Sequence, residues 1–194
     1  MPSTAYRRWA TTGASALNEI AGAHAAVGGS GPGRRYTTQQ VNQAYAVLLA
    51  GQFQKFCRDL HSECADYLVT VLGTPSAALG KVVSRQFTWA RQLDRGNAHS
   101  GSLKEDFGRL GIDLWAEMDH YVPRSNVWRS QLDVLNVWRN AIAHQDFNPA
   151  KIGGATNLRL AQVRRWRVAC RGLARGLDEV MRRHLQTLTG APPW

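Results

Sequence analysis

Arg139-Asn140-Ala141-Ile142-Ala143-His144 gathers three chemically capable side chains into one short window, in the pattern R-N-x-x-x-H. Arg carries a permanent charge and a planar fork of donors that matches phosphate oxygens. His has an ordinary pKa suited to proton transfer near neutrality. Asn can orient a histidine or donate a hydrogen bond to phosphate. The set suits binding a phosphodiester and moving a proton. Metal-free RNA cleavage asks for this: the 2′-OH loses a proton, the leaving 5′-oxygen gains one, and the crowded phosphorane needs positive charge. One His does not easily serve as both base and acid. Two copies facing each other across a two-fold axis would, and such dimers are the commonest oligomers.

The residues around the window predict a helix from about Ser125 to Ala143. At roughly 100° per residue, Trp128, Leu132, Leu135, Trp138 and Ile142 share a side that should face a core. Arg129, Asp133, Asn136, Asn140 and His144 fall within about 80° of each other on the opposite side, as one polar stripe. Asn140 and His144 are neighbours at i, i+4. Arg139 projects from the flank, and Ala141 and Ala143 are small enough for another helix to approach. The bland alternative makes Arg139 a surface ion-pair partner, Asn140 a solvated residue and His144 a cation at a helix C-terminus.

The run Asn136-Val137-Trp138-Arg139-Asn140-Ala141-Ile142-Ala143-His144-Gln145 resembles the signature of the HEPN superfamily. Arg139, Asn140 and His144 match its motif residue by residue. The resemblance implies a helical bundle with two long antiparallel helices, over about residues 38–188. It implies a metal-independent endoribonuclease acting as a dimer with a shared site, in a toxin or anti-phage role under a protein antitoxin. Some members of that superfamily are non-catalytic interaction modules. Residues 1–36 have no counterpart in it.

Helical periodicity dominates the rest of the chain, with no convincing alternating strand, so the expected fold class is all-α. Residues 4–26 place Tyr6, Trp9, Leu17 and Ile20 at helical spacing, and then meet Gly28-Gly29-Ser30-Gly31-Pro32-Gly33. That stretch lacks the Lys-Ser/Thr of a phosphate loop and reads as a linker. The expected organisation is an N-terminal helical arm with linker over 1–36 and a HEPN-like helical domain over 37–194. A long helix is expected from about Thr38 to Leu72, stopped by Gly73-Thr74-Pro75. Residues 76–93 fit a helix, although Val82, Val83, Phe87 and Trp89 also suit a strand. Asp94 to Gly101 reads as a loop. A helix from Ser102, with Glu105 completing a capping box, should run to about His120 before Pro123. A last helix is expected from about Leu158 to Leu188.

On that last helix Arg164, Arg171, Arg175 and Arg182 lie close to one line, with Arg167 beside them. The line is about 27 Å long at ~1.5 Å per residue and suits a nucleic-acid backbone, or else is a solvated cationic face. Lys and Arg total 24 against 14 Asp and Glu, a net charge of +10, which favours anionic partners such as RNA. Cys57, His61 and Cys64 share a helix face at i, i+4, i+7. With Phe53, Phe56, Leu60 and Leu68 around them and no fourth ligand evident, buried thiols rather than zinc are the default. Asp133 and Asp146 flank the motif and would orient His144 or simply be solvated. Arg95-Gly96-Asn97-Ala98-His99 reads as an RNA-contacting rim or a polar turn. No cofactor is implied. Three cysteines in no paired framework, no secretory leader and no apolar run near the ~20 residues of a membrane span point to the cytoplasm.

Overall fold

The computed structural model describes residues 1–27, 35–154 and 157–194, and among these every regular element is helical. The order is α1 (Thr4–Arg8), a π-helical turn (Trp9–Gly13), α2 (Ala14–Val27), α3 (Arg35–Val71), α4 (Ala77–Thr88), α5 (Gln92–Arg95), α6 (Ser100–Gly108), α7 (Leu114–Tyr121), α8 (Ser125–His144) and α9 (Leu160–Thr189). The expected all-α bundle is therefore what forms. The Gly-rich stretch lies outside the described residues.

Three long helices, α3, α8 and α9, enclose the core. The buried positions of α3 include Tyr45, Ala46, Leu49, Phe53, Phe56, Cys57, Leu60 and Cys64. They recur every three or four residues, so one stripe faces inward. On α9 the stripe is Val163, Trp166, Cys170, Leu173, Leu177, Val180, Met181 and Leu185. From α8, Leu132, Leu135 and Trp138 close the third side, with Trp138 tilted against Trp166 at 6.4 Å. Each fully buried large side chain contributes about 1.5–3 kcal/mol of transfer free energy. No helix among the described residues is long and apolar enough to cross a membrane.

The N-terminal arm docks on this bundle. Trp9 meets Phe53 edge-on at 5.9 Å and lies 6.0 Å from Phe56, and Leu17 is buried. The start of α1 is capped by Ser3 Oγ, which accepts from Tyr6 N at 3.0 Å, and also from elsewhere in the chain. The Glu63 carboxylate on α3 accepts from the backbone N–H of Thr4 and Ala5 (2.8 and 2.9 Å), and Asp178 on α9 accepts from the N–H of Ser3 (3.1 Å). These carboxylates satisfy orphan donors at the positive end of a helix.

Several boundaries differ from expectation, each for a local reason. Helix α3 starts ahead of Thr37 and Thr38. Residues 77–88 are helical, so the strand alternative for the Val-rich segment does not form; Ser76 Oγ caps this helix at Leu79 N. The helix expected from Ser102 to His120 is two helices. Its first half starts at Ser100, capped by His99 Nδ1, with Ser102 Oγ rather than Glu105 answering the His99 N–H at 3.0 Å. Gly111, at φ +83°, turns the chain, and Asp113 caps α7.

Candidate functional site

Arg139, Asn140 and His144 lie on the last turns of α8, where the helix leaves the bundle. Asn140 and His144 are exposed and Arg139 is half-buried. Arg139 Nη1 donates to Asn140 Oδ1 at 3.2 Å. Asn97 Nδ2, from the loop between α5 and α6, donates to the same oxygen at 2.7 Å. One amide oxygen has two lone pairs, so both bonds are satisfied. Among the described residues neither ring nitrogen of His144 nor the amide nitrogen of Asn140 has a hydrogen-bond partner.

The helix end is closed by a Schellman arrangement. Asp146 N donates to Ala141 O at 3.0 Å and Gln145 N to Ile142 O at 3.3 Å, with Gln145 left-handed at φ 54°. His144 is thus the last residue before the reversal. Asp146 does not serve His144: its carboxylate pairs with Lys151 Nζ at 2.6 Å. That lysine holds the Asp146 carboxyl below its usual value, first through the hydrogen bond and then through its charge, with a smaller contribution from His144.

The rest of the predicted polar stripe faces inward, and this corrects the projection. Asn136 is buried and donates to Ala98 O at 2.9 Å. Asp133 does not orient His144; its two oxygens take Ser100 N at 2.8 Å and Ser100 Oγ at 2.7 Å, at the start of α6. Arg129 lies over the Trp115 ring at 5.1 Å. The stripe therefore binds α6, α7 and the 96–99 loop, and is exposed only at Asn140 and His144. Gln54 of α3 clamps the loop from its other side, donating to Leu93 O (2.8 Å) and Gly96 O (2.6 Å). The Arg95–His99 segment thus forms a rim beside the motif. The sequence singles out Asn97 only as one residue of that run, with nothing to tie it to Asn140. The only signal was a polar residue in a Gly-containing loop, because its partner is 43 residues away.

The five α9 arginines expected to contact RNA separate into different environments. Arg167 is taken up by the N-terminal arm, donating to Asn18 Oδ1 (2.6 Å), Tyr45 Oη (2.9 Å) and Leu17 O (3.3 Å). Arg182 forms a fork with Glu179, at 3.0 and 2.9 Å. This pair, together with Arg183, holds the Glu179 carboxyl below its usual value. Arg164, Arg171 and Arg175 are exposed and unpaired among the described residues.

Cys57, His61 and Cys64 are fully buried. Both ring nitrogens of His61 are engaged: Nε2 donates to Asp106 O at 3.0 Å, and Nδ1 lies 3.4 Å from Arg91 Nη1. Burial lowers the His61 pKa to about 4, with the nearby Arg91 and Arg109 charges pushing the same way, and burial raises all three thiols. No group of three or more His, Cys, Asp or Glu side chains among the described residues is placed to hold a metal ion. Comparison of the chain with protein-family models, curated proteins and solved structures found no match.

Proposed function

We propose that this protein is a metal-independent endoribonuclease whose site is built on Arg139, Asn140 and His144. The observation that carries the reading is the state of these three groups. Arg139 and Asn140 are already joined at 3.2 Å, while among the described residues the Asn140 amide nitrogen and both nitrogens of the exposed His144 have no hydrogen-bond partner. The likeness of residues 136–145 to the HEPN signature supports it, as does the net charge of +10.

In this reading the Arg139 guanidinium and the Asn140 amide N–H groups hold the non-bridging phosphate oxygens. They stabilise the charge that grows as the phosphorane forms. His144 takes the 2′-OH proton, and the 2′-oxygen forms its bond to phosphorus. The bond to the 5′-oxygen breaks, and an imidazolium delivers the proton that this leaving group needs. A second copy of the chain provides that imidazolium as its own His144. The products are a 2′,3′-cyclic phosphate and a 5′-hydroxyl. Arg164, Arg171 and Arg175 lie along one line of α9 and would guide the RNA backbone. A toxin or defence role, restrained by an antitoxin, follows from the resemblance alone.

His144→Ala abolishes cleavage of a fluorescent RNA in chelator while helicity and oligomeric state persist; undiminished cleavage by this variant sinks the assignment. A non-catalytic binding module is the second reading. It is favoured by one observation: the oxygen of exposed Asn140 is already saturated by Asn97 and Arg139. In that case wild-type protein cleaves no RNA in the same assay.

A further inference from the structure

Helices α8 and α9 leave an open groove of about 480 Å³ on their outer face. Its walls are two rows with the same spacing. Arg124, at the N-cap of α8, and Val127, Trp128 and Gln131 within it form one wall, and Ala161, Arg164, Arg165, Val168 and Ala169 of α9 the other. Positions i, i+3, i+4 and i+7 give each wall about two helical turns. The floor is apolar. Val168 is 56% and Val127 49% exposed, large values for aliphatic side chains with no cover. The charged residues of the rim are all arginines, beside the neutral Gln131, and among the described residues no carboxylate lines the groove. Arg124 lies 5.7 Å over the Trp128 ring, while Arg164 and Arg165 have no partner among the described residues.

We infer that this groove receives an acidic amphipathic helix of another protein. An apolar floor two turns long fits the i, i+3/i+4, i+7 anchors of a helix laid along it. Three rim arginines without counter-charges select carboxylates on the flanks of that helix and speed its encounter. A second copy of this chain is the poorer occupant, because a two-fold pairing would set three arginines against three arginines in a molecule of net charge +10. The inference uses none of Arg139, Asn140 or His144 and stands whether or not the chain cleaves RNA.

The test uses the full chain and two labelled peptides of about 15 residues, long enough to sustain a helix. Both carry Leu at i, i+4, i+7 and i+11; one has Glu on both flanks, the other Lys. Fluorescence anisotropy should show binding of the Glu peptide alone. Affinity should fall at least ~10-fold in Arg124→Glu/Arg165→Glu and again in Val168→Asp. These positions are exposed, and circular dichroism checks that the variants fold. Methyl signals of Val127 and Val168 should shift on titration, and His144→Ala should bind as wild type does. Equal binding of both peptides, or full affinity in the variants, overturns the inference. So does a wild-type dimer that Val168→Asp converts to monomer. An RNA oligonucleotide whose binding falls in Arg124→Glu/Arg165→Glu while the Glu peptide does not bind would also overturn it.

Discussion

At the motif, the reversal after His144 rests on a residue ill-suited to it. Gln145 holds φ 54°, a left-handed conformation that costs an L-residue with a Cβ about 1–2 kcal/mol. It is partly compensated by Gln145 Nε2, which donates to Ile142 O at 2.9 Å. Gln145→Gly removes the Cβ clash and loses that side-chain bond. The net gain should be about 1 kcal/mol, raising Tm by roughly 2–4 °C in a chain of this size. Calorimetry of the single variant decides it, and a lower Tm would show that the side-chain bond outweighs the strain. The neighbourhood of Asn140 and His144 was legible from spacing because it lies within one helix. Asn97 was not, since its bond to Asn140 exists only after α3, α6 and α8 have packed. For the same reason an angular projection of α9 gave the direction of Arg167 but not the arm that covers it.

Between elements, the closeness of α8 to α9 depends on a missing side chain. A Cβ at Gly172 would collide with the Trp128 ring, an approach no real contact shows. The benzo ring of Trp128 sits directly on Gly172 because that position is glycine. Gly172→Ala should therefore destabilise by about 1–3 kcal/mol through overpacking, although alanine is the better helix former. Gly51 on α3 is the control. It is exposed and a Cβ there meets nothing within 4 Å, so Gly51→Ala should stabilise by about 0.5–1 kcal/mol. Urea unfolding of the two variants should give midpoints displaced in opposite directions; displacement of both the same way would refute the packing argument. The long apolar stripes of α3, α8 and α9 were readable from periodicity. The break at 109–113 and the inward turn of Asp133 and Asn136 were not. A polar residue at helical spacing looks the same whether it meets water or the backbone of a neighbouring loop.

For the molecule as a whole, acid should act first through a group far from the motif. His61 sits in the core between α3 and α6, edge-on to Phe107 at 5.3 Å, with its ring nitrogens bonded to Asp106 O and facing Arg91. Burial lowers its pKa to about 4 in the folded state, against 6.5 when the chain is unfolded. Between these values the unfolded chain binds a proton that the native one refuses, so stability rises with pH across this window and is lost as pH falls through it. The difference corresponds to about 3 kcal/mol, a large fraction of the 5–15 kcal/mol that holds a domain together. Asp178 opposes this lower in the range: burial raises its carboxyl, so its contribution favours the folded state in acid. Wild-type Tm should therefore fall as pH drops from about 6.5 toward 4. His61→Gln can keep the donor to Asp106 O without a titrating ring, and should start less stable at pH 7 but lose less on acidification. Matching pH slopes for the two proteins would remove His61 as the cause and leave the surface carboxylates to explain the acid transition.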